Sequence, residues 1–503
     1  MLPPADFQPS TPPPQFPHEA NCGSYYPTEI GTQDKGEIEW RLSVFLRVVA
    51  QPSLRLPPRR WGGCPAATSR VVGFGLKPAP SRRWGDFRGI TCSAISASVG
   101  LYPDMKQAIH PLTLFLIGAA IGWFAWPHAI WLAPAALVAI PVVASRGWAG
   151  PFLLMLGYHL ATTWGLIHGT AVFFPSSGLF LGLAFWVGSS LIFALPYLLY
   201  SPIFRKARSV IGVPYAGVLT TVFLSAISTV FPPLGIIGWT SPWLGAMSAG
   251  WTGVMLVMLG IAYATLGRSQ AAAGLAIGLS TTATLWAGSF ALAADSHAPA
   301  GWVGVNTNLG HLDSPLSYIE ASMRLEQRTM ALLHNGAHVV LLPETVAGPW
   351  RAGTEAIWRP VVRWTAAHRN QTVFVGSFVP HGRGYIDALV QIHDGQTRVL
   401  PDHIPVPFSM WHPWRPEGSF RMAPFSREPE MTKVGALRVG YLICYEQLLM
   451  WPALNLAFHN PQILLAPAND WWARGTDIPA IQRASAKAWG AFLGVPVLFA
   501  VNQ

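Results

Sequence analysis

Two regions of different class are predicted by this sequence: a bundle of apolar, membrane-crossing helices, then a soluble α/β domain. Three observations carry that reading. First, 51% of the 503 residues are hydrophobic and only 11% are charged, against about 25% charged in an ordinary soluble chain; mean hydropathy is +0.34. Second, no Asp or Glu occurs between Gln107 and Ala294. Third, from about Gly301 the sequence turns to short β-rich runs alternating with amphipathic stretches, the pattern of a sheet covered by helices.

Residues 1–104 mix Pro, Arg, Gly and Ser without a sustained helical or strand period, as in PPADFQPSTPPPQFP and LRLPPRRWGG. Such a stretch is either a disordered extension or upstream sequence read through from too early a start. Met105-Lys106 stands directly before the first apolar run, and translation is expected to begin there.

Residues 105–297 are expected to form the bundle. A crossing helix needs about 20 apolar residues, and that ruler gives seven candidate spans: about 110–126, 128–145, 151–173, 178–200, 211–229, 243–266 and 271–294. Basic residues stay on the cytoplasmic side. They fall at Lys106, at Arg146, at Arg205, Lys206 and Arg208, and at Arg268, while the loops after the first, third and fifth spans carry none. The alternation puts the N-terminus inside and the C-terminal domain outside, which in a bacterium is the periplasm. The histidines His110, His128, His159 and His168 have no acidic partner in the bundle, so they read as interfacial or helix-bonded groups, not a proton relay. Phe231-Pro232-Pro233-Leu234-Gly235 cannot be a regular helix, because two prolines remove donors; a partly buried loop facing the soluble domain is expected.

Residues 298–503 are expected to form the α/β domain. Candidate strands are Trp302 to Asn306, His338 to Leu342, Thr372 to Phe378, Tyr385 to Ile392, Leu437 to Ile443, Ile463 to Ala466 and Pro496 to Val501. Candidate helices are Pro315 to Leu333, Thr354 to His368, Gln447 to Phe458 and Pro479 to Phe492. Two strand ends carry chemistry. The run ending Pro343-Glu344 delivers a carboxylate, and the run ending Ile443-Cys444 delivers a thiol at the mouth of a helix. Backbone amides at such a mouth bind developing negative charge, and a carboxylate beside a cysteine is one route to a thiolate. Taken alone, each has an ordinary alternative: a packed cysteine, and a glutamate that caps a helix.

Other classes are disfavoured. The net charge of +10 comes from arginines spread through the N-terminal stretch and short loops, not from a basic face, so nucleic acid is not an expected partner. The four cysteines, Cys22, Cys64, Cys92 and Cys444, contain no CxxC pair, so neither zinc nor a disulfide framework is indicated. No Gly-rich phosphate loop follows a suitable strand, and no metal or organic cofactor is expected.

LLPET at 341–345 and LICYEQ at 442–447 resemble the glutamate and cysteine motifs of the nitrilase superfamily. Ala468-Asn469-Asp470-Trp471-Trp472, followed by Ile481-Gln482-Arg483-Ala484-Ser485-Ala486, resembles the segment after the nucleophile in apolipoprotein N-acyltransferases, which also join a membrane bundle to a periplasmic nitrilase domain. Pro405-Val406-Pro407-Phe408-Ser409-Met410-Trp411, Cys444-Tyr445-Glu446-Gln447-Leu448, Trp471-Trp472 and Ala480-Ile481-Gln482-Arg483-Ala484 are similar to runs of the TraB family of conjugal transfer proteins. The likeness covers about residues 105–503, with the specific motifs all after 300.

The resemblance implies an α-β-β-α sandwich with Cys444 as nucleophile and Glu344 as base, supported from behind by Glu446 and Asn469. It implies an inner-membrane, multi-pass chain whose partners are the lipid bilayer, an acyl or amide substrate, and proteins of a conjugation machinery. The family's third residue, a lysine that stabilises the oxyanion, is not matched. Its position, four before the Val of Val406-Pro407-Phe408, holds Asp402, and a further family glutamate corresponds to Met410. Arg398 and His403 are candidate substitute cations, with Arg415 behind them; Lys433 and Lys487, the only lysines after 300, lie outside the expected loop. Three readings follow: an amide- or acyl-processing enzyme with a rearranged cation, a non-catalytic scaffold for conjugation or pilus assembly, and a true lipoprotein acyltransferase.

Overall fold

The computed structural model describes residues 110–145, 147–267, 274, 277–278, 282–283, 298–426 and 428–503. The expectations for residues 1–104 and for Met105, Arg146 and Arg268 fall outside these residues, as does nearly all of the expected span at 271–294.

Nine helices occupy the described part of the apolar region: α1 (Pro111–Ala125), α2 (Pro134–Ala144), α3 (Gly150–Thr162), α4 (Leu166–Phe173), α5 (Gly178–Ala194), α6 (Tyr200–Ile211), α7 (Val213–Thr229), α8 (Pro242–Met247) and α9 (Gly250–Leu266). Proline stands in the first turn of α1, α2, α3, α7 and α8, where its missing N–H costs nothing. The expected spans are shorter and more broken than drawn. The stretch 151–173 divides between α3 and α4, and 243–266 divides before Gly250, whose φ of +65° interrupts the run. Among the described residues one continuous run, Gly178–Ile211 with 34 residues, is long and apolar enough to cross a membrane on its own, while Pro111–Ala125, Ile130–Ala144, Val213–Thr229 and Gly250–Leu266 are apolar but shorter. Small residues let these helices approach closely: a Cβ on Gly118 of α1 would sit 1.8 Å from the carbonyl oxygen of Leu154 in α3. His159 is fully buried between Tyr158 and Phe193, each ring centroid 5.1 Å away.

Beyond residue 298 two mixed sheets stack. The first has the order β1 (Trp302–Gly304), β2 (Val339–Leu341), β3 (Thr372–His381), β4 (Gly384–His393), β5 (Gln396–Pro401), parallel through β3 and antiparallel after it. The second runs β6 (Met431–Val434), β7 (Leu437–Tyr441), β8 (Ile463–Asn469), β9 (Val497–Asn502), with β6 antiparallel and the rest parallel. Period-2 alternation sets the layers. Val339, Leu341, Phe374 and Leu389 face the second sheet and meet Val439, Ile463, Leu465 and Leu498. Their neighbours Val340, Val373 and Val375 turn outward to Leu325 of α10 (Pro315–His334) and Trp358 of α11 (Ala352–Ala367). The outer face of the second sheet is covered by α12 (Met450–Ala457) and α13 (Ile478–Leu493), whose Leu456 and Trp489 share one core with the apolar helices. The layering is α-β-β-α, with the helical region against its second helical layer. The two-proline loop packs as expected on the α/β region: the Tyr445 hydroxyl donates to the Ile236 carbonyl at 3.1 Å, and the Phe231 and Trp451 rings lie 5.5 Å apart.

Candidate active site

Glu344 follows β2 directly, after Pro343 ends the strand. The turn it occupies rests against β3 where only a glycine fits, because a Cβ on Gly376 would lie 1.8 Å from the Pro343 oxygen and 2.6 Å from Glu344 Cα. Thr345, next in the turn, has φ +53°, and its hydroxyl accepts from Asn469 Nδ2 at 2.9 Å.

Cys444 follows β7 and opens a one-turn helix, Cys444–Leu448, with φ +42°. A non-glycine residue in this left-handed region is strained, so the surroundings must hold it there. Glu446 accepts from the backbone N–H of Ile443 at 3.1 Å through one oxygen, and from those of His403 at 2.9 Å and Ile404 at 3.3 Å through the other. Gln447 Nε2 donates to the carbonyls of Leu442 at 3.0 Å and Pro467 at 2.7 Å. Gln482 of α13 donates to the Cys444 carbonyl at 3.1 Å and to Gln447 Oε1 at 3.3 Å.

The two strand ends meet. Glu344, the Cys444 thiol and a second buried carboxyl, Asp387 of β4, lie near enough for each to bear on the protonation of its neighbours, as does the backbone N–H of Asn469 on Glu344 and Cys444. Asn469 is itself fixed by Asn502, whose Nδ2 donates to its Oδ1 at 2.8 Å. Glu344 and Cys444 lie at a cavity of about 460 Å³ that also takes Thr170 and Phe173 of α4, Phe185 of α5, and Phe408 and Met410 from the loop after β5. It is therefore walled partly by the apolar helices. Phe408 has φ +69° and its ring meets Phe185 at 5.1 Å.

Among the described residues no lysine or arginine lines this cavity. Arg398 is exposed on β5, in a separate surface cleft with Lys433 and Arg438. His403 is buried, its Nδ1 2.5 Å from Glu430 Oε1, and it does not line the cavity either. Neither proposed substitute cation thus faces Cys444, because β5 turns Arg398 to solvent and Glu430 claims His403. Arg415 and Lys487 are exposed and away from the cavity. Asp402, in the position of the missing lysine, is buried and its backbone N–H donates to the Asp387 carbonyl at 2.8 Å.

The electrostatics are those of crowded buried acids. Burial raises Glu344, opposed by its neighbours Asp387, Cys444 and Asn469. Burial, then the charges of Glu344 and Asp402, pushes Asp387 well above the carboxylate range. Burial, then Glu446, Glu344 and Glu430, does the same to Asp402. Burial followed by the Glu430 charge takes Glu446 to about 7, and burial followed by the Glu344 charge takes Asp470 to about 7. Burial alone would lower His403, but its bond to Glu430 and the charges of Glu430 and Glu446 carry it upward. The Cys444 thiol is driven well above its usual range by burial, then by Glu344 and Asp470. The direction of that shift favours the thiol over the thiolate.

His403, Glu430 and Glu446 bring one ligand atom each within 4.8 Å of one another. The oxygens of Glu446 are already held by three backbone N–H groups and His403 by Glu430, so the trio serves as a clamp behind the Cys444 turn. Sequence reading passed over Asp387 and the roles of Gln447 and Gln482.

No family model matches the chain. Over 406 residues it is 30% identical to the conjugal transfer protein TraB of Agrobacterium fabrum, covering 77% of this chain and 92% of that protein. Over 407 residues it is 31% identical to the probable conjugal transfer protein TraB of Sinorhizobium fredii, covering 79% and 99%. Among solved structures it is similar to a mutant of a Nesterenkonia amidase from the nitrilase superfamily, at 15% identity and a TM-score of 0.29 over 40% of this chain and 74% of the other. It is also similar to a carbon-nitrogen hydrolase from Helicobacter pylori, at 16% identity and a TM-score of 0.29 over 40% and 73%.

Proposed function

This chain belongs to the TraB family of conjugal transfer proteins, and from that premise we propose that it is a membrane-anchored, cysteine-dependent enzyme of a conjugation system, acting on an amide or acyl substrate. The observation that carries the proposal is that Glu344 and Cys444, each at the end of a strand, line the same cavity, near enough for each to bear on the other's protonation. Glu344 takes the thiol proton as sulfur attacks the acyl carbon, forming the C–S bond and a tetrahedral oxyanion. The backbone N–H groups of Cys444 and Tyr445, at the start of the Cys444–Leu448 turn, are the proposed donors to that oxygen. Protonated Glu344 gives its proton to the leaving nitrogen or oxygen as that bond breaks. Water or an amine then attacks the thioester, returns a proton to the thiol through Glu344, and releases the acyl product. Walls contributed by α4 and α5 favour a substrate whose acyl portion is apolar.

Membrane anchoring is supported by outward stripes at four-residue spacing: Leu183, Val187 and Leu191 on α5, Leu219, Phe223 and Ile227 on α7, and Trp251, Met255 and Leu259 on α9 are all exposed. A water-facing helix would carry polar residues there. The cations Arg205, Lys206 and Arg208 of α6 mark the cytoplasmic side, and the α/β domain is proposed to lie in the periplasm, across the bacterial inner membrane. Phosphatase fusions after residue 300 should be active and fusions near 206 silent; equal signals overturn this topology.

A second reading has its own observation. Asp402 stands where a cation is expected, and among the described residues no Lys or Arg lines the cavity, an arrangement that suits a non-catalytic scaffold. Purified full-length protein incubated with short- and long-chain acyl amides decides between the readings. An acyl adduct on Cys444, detected by mass and lost in Cys444→Ser, supports the enzyme; no adduct with any acyl amide leaves the scaffold.

A further inference from the structure

The direction of a hydrogen bond between two side-chain amides is set by what else those amides touch. At the ends of β8 and β9 that direction is fixed. Asn502 is fully buried and pairs in register with Asn469. Its Oδ1 meets the backbone N–H of Leu309 at 2.9 Å, and its Nδ2 meets the carbonyl of Gly310 at 3.1 Å. A backbone N–H only donates and a carbonyl only accepts, so the Asn502 amide has one possible orientation. Its Nδ2 therefore donates to Asn469 Oδ1 at 2.8 Å. That leaves Asn469 Nδ2 facing Thr345, whose oxygen must accept at 2.9 Å. A hydroxyl has one proton, and that of Thr345 consequently points away from Asn469. Among the described residues no protein acceptor takes it. Thr345 is half-buried, between the buried Glu344 and Val346, and it lines the cavity beside Cys444. Its φ of +53° is a left-handed backbone that a β-branched residue rarely adopts, and strain of this kind collects at functional sites.

We propose that Thr345 is a catalytic residue whose O–H donates a hydrogen bond to the acyl oxygen of the substrate, and that Asn469 and Asn502 are positioning residues that aim it. The inference rests on the reading of Glu344 and Cys444 given above and adds a side-chain donor to the backbone N–H groups of Cys444 and Tyr445. The proton stays on Thr345 throughout. No bond to it forms or breaks, and the hydrogen bond strengthens as attack by sulfur builds charge on the acyl oxygen. It is a neutral donor in a cavity that, among the described residues, no Lys or Arg lines. Valine has the shape of threonine without the donor, and serine keeps the donor, so the assignment is testable.

The experiment uses the full chain in nanodiscs. Acylation of Cys444 by octanamide, read on the Cys444 peptide by mass spectrometry, should slow about 10²-fold in Thr345→Val, the usual effect of deleting one donor to an oxyanion. Thr345→Ser should recover most of that loss. Iodoacetamide alkylation of Cys444 builds no acyl oxyanion, so it should stay near the native rate in both variants, which a general distortion of the site would not allow. Asn469→Asp supplies an acceptor that turns the Thr345 proton away from the cavity. It should slow acylation with the hydroxyl still in place, and add little in a Thr345→Val background. Acylation of Thr345→Val at the native rate, or alkylation that falls as far as acylation, overturns the proposal. If Thr345→Val fails to fold, Asn469→Asp carries the same comparison. Where the native protein forms no adduct, octanamide binding decides. Full-length Cys444→Ala should lose about three- to tenfold in affinity when Thr345→Val is added; equal affinities, or no binding in either, overturn the proposal. A binding difference without acylation sinks the enzyme reading alone and leaves the Thr345 donor standing.

Discussion

Replacing Glu344 by Gln separates a base from a mere neighbour, because the structure assigns Glu344 two opposed effects on the thiol. Its carboxyl lines the same cavity as Cys444 and is proposed to take the proton during attack. Its charge also stands, after burial, among the causes that hold the thiol well above its usual range. Gln keeps the volume and removes both effects. At neutral pH, where the thiol is protonated, the loss of the base should slow iodoacetamide labelling of Cys444 by about 10²- to 10⁴-fold, or about 3–5 kcal/mol at 1.36 kcal/mol per decade. In alkali the sign reverses. With the neighbouring charge gone the thiol ionises at lower pH, so the variant should equal or overtake the native protein. The assay is the labelling rate of the Cys444 peptide across pH, and the expected signature is a crossing of the two curves. Parallel curves, or a native rate at neutral pH no faster than the variant's, would show that Glu344 does not act on the thiol and refute the reasoning.

Other outcomes follow from the same geometry. Gln482→Leu removes two buried hydrogen bonds and leaves the Cys444 carbonyl without its 3.1 Å donor, so it should cost about 2–4 kcal/mol in denaturant unfolding and lower Cys444 labelling. Gly376→Ala drives a methyl to 1.8 Å from the Pro343 oxygen; it should destabilise by about 1–3 kcal/mol and, by moving Glu344, reproduce the neutral-pH labelling defect of Glu344→Gln. Asp470, raised from 3.8 to about 7 by burial and then by Glu344, binds its proton more tightly when folded, so its contribution falls as pH rises from about 4 to about 7, by a few kcal/mol in all. Asp470→Asn should flatten that part of the stability–pH curve; an unchanged slope in thermal melts would assign it to other groups.

Much of the α/β region was legible because its strands alternate cleanly. The expected strand at Thr372 to Phe378 appears as Thr372–His381, and the expected helix at Pro315 to Leu333 as Pro315–His334. The strands β5 and β6 were missed because both are sheet edges, β5 mostly exposed and β6 only four residues long with a single buried one, so hydrophobic period is weak there. A turn signal was available: Asp394 and Gly395 have φ of +49° and +72°, the Asp-Gly hairpin that pairs His393 with Gln396. The meeting of Glu344 and Cys444 could be anticipated only through the resemblance, since about 100 residues separate them and nothing local sets their distance. Asp387 carried a local warning that was passed over. It shares a strand face with Leu389, two residues on, and a carboxylate in such a row is either paired or protonated. Lengths in the apolar region were misjudged because composition cannot see where a helix breaks, as at Gly250.

The substitution of Asp402 for the expected lysine is less isolated than the sequence suggests, because the buried carboxyls Glu344, Asp387, Glu430 and Glu446 act on it or are acted on by it, and a further buried one, Asp470, acts with Glu344 on Cys444. Like charges this close cannot all ionise. Such a site holds protons where a lysine would hold a fixed charge, and its field on an oxyanion depends on how many protons remain. Glu344 must be ionised to accept the thiol proton, while its neighbours must stay neutral or they repel the intermediate. Glu446 and Asp470, both at about 7, set the upper edge of that window. Any acyl transfer or amide hydrolysis by this chain should therefore fall as pH rises above about 7, although thiol ionisation alone would make it rise. Asp470→Asn should extend activity to higher pH by removing one of the two late charges. A rate that climbs steadily through this range in the native protein would mean that the buried acids do not reach the reacting carbon.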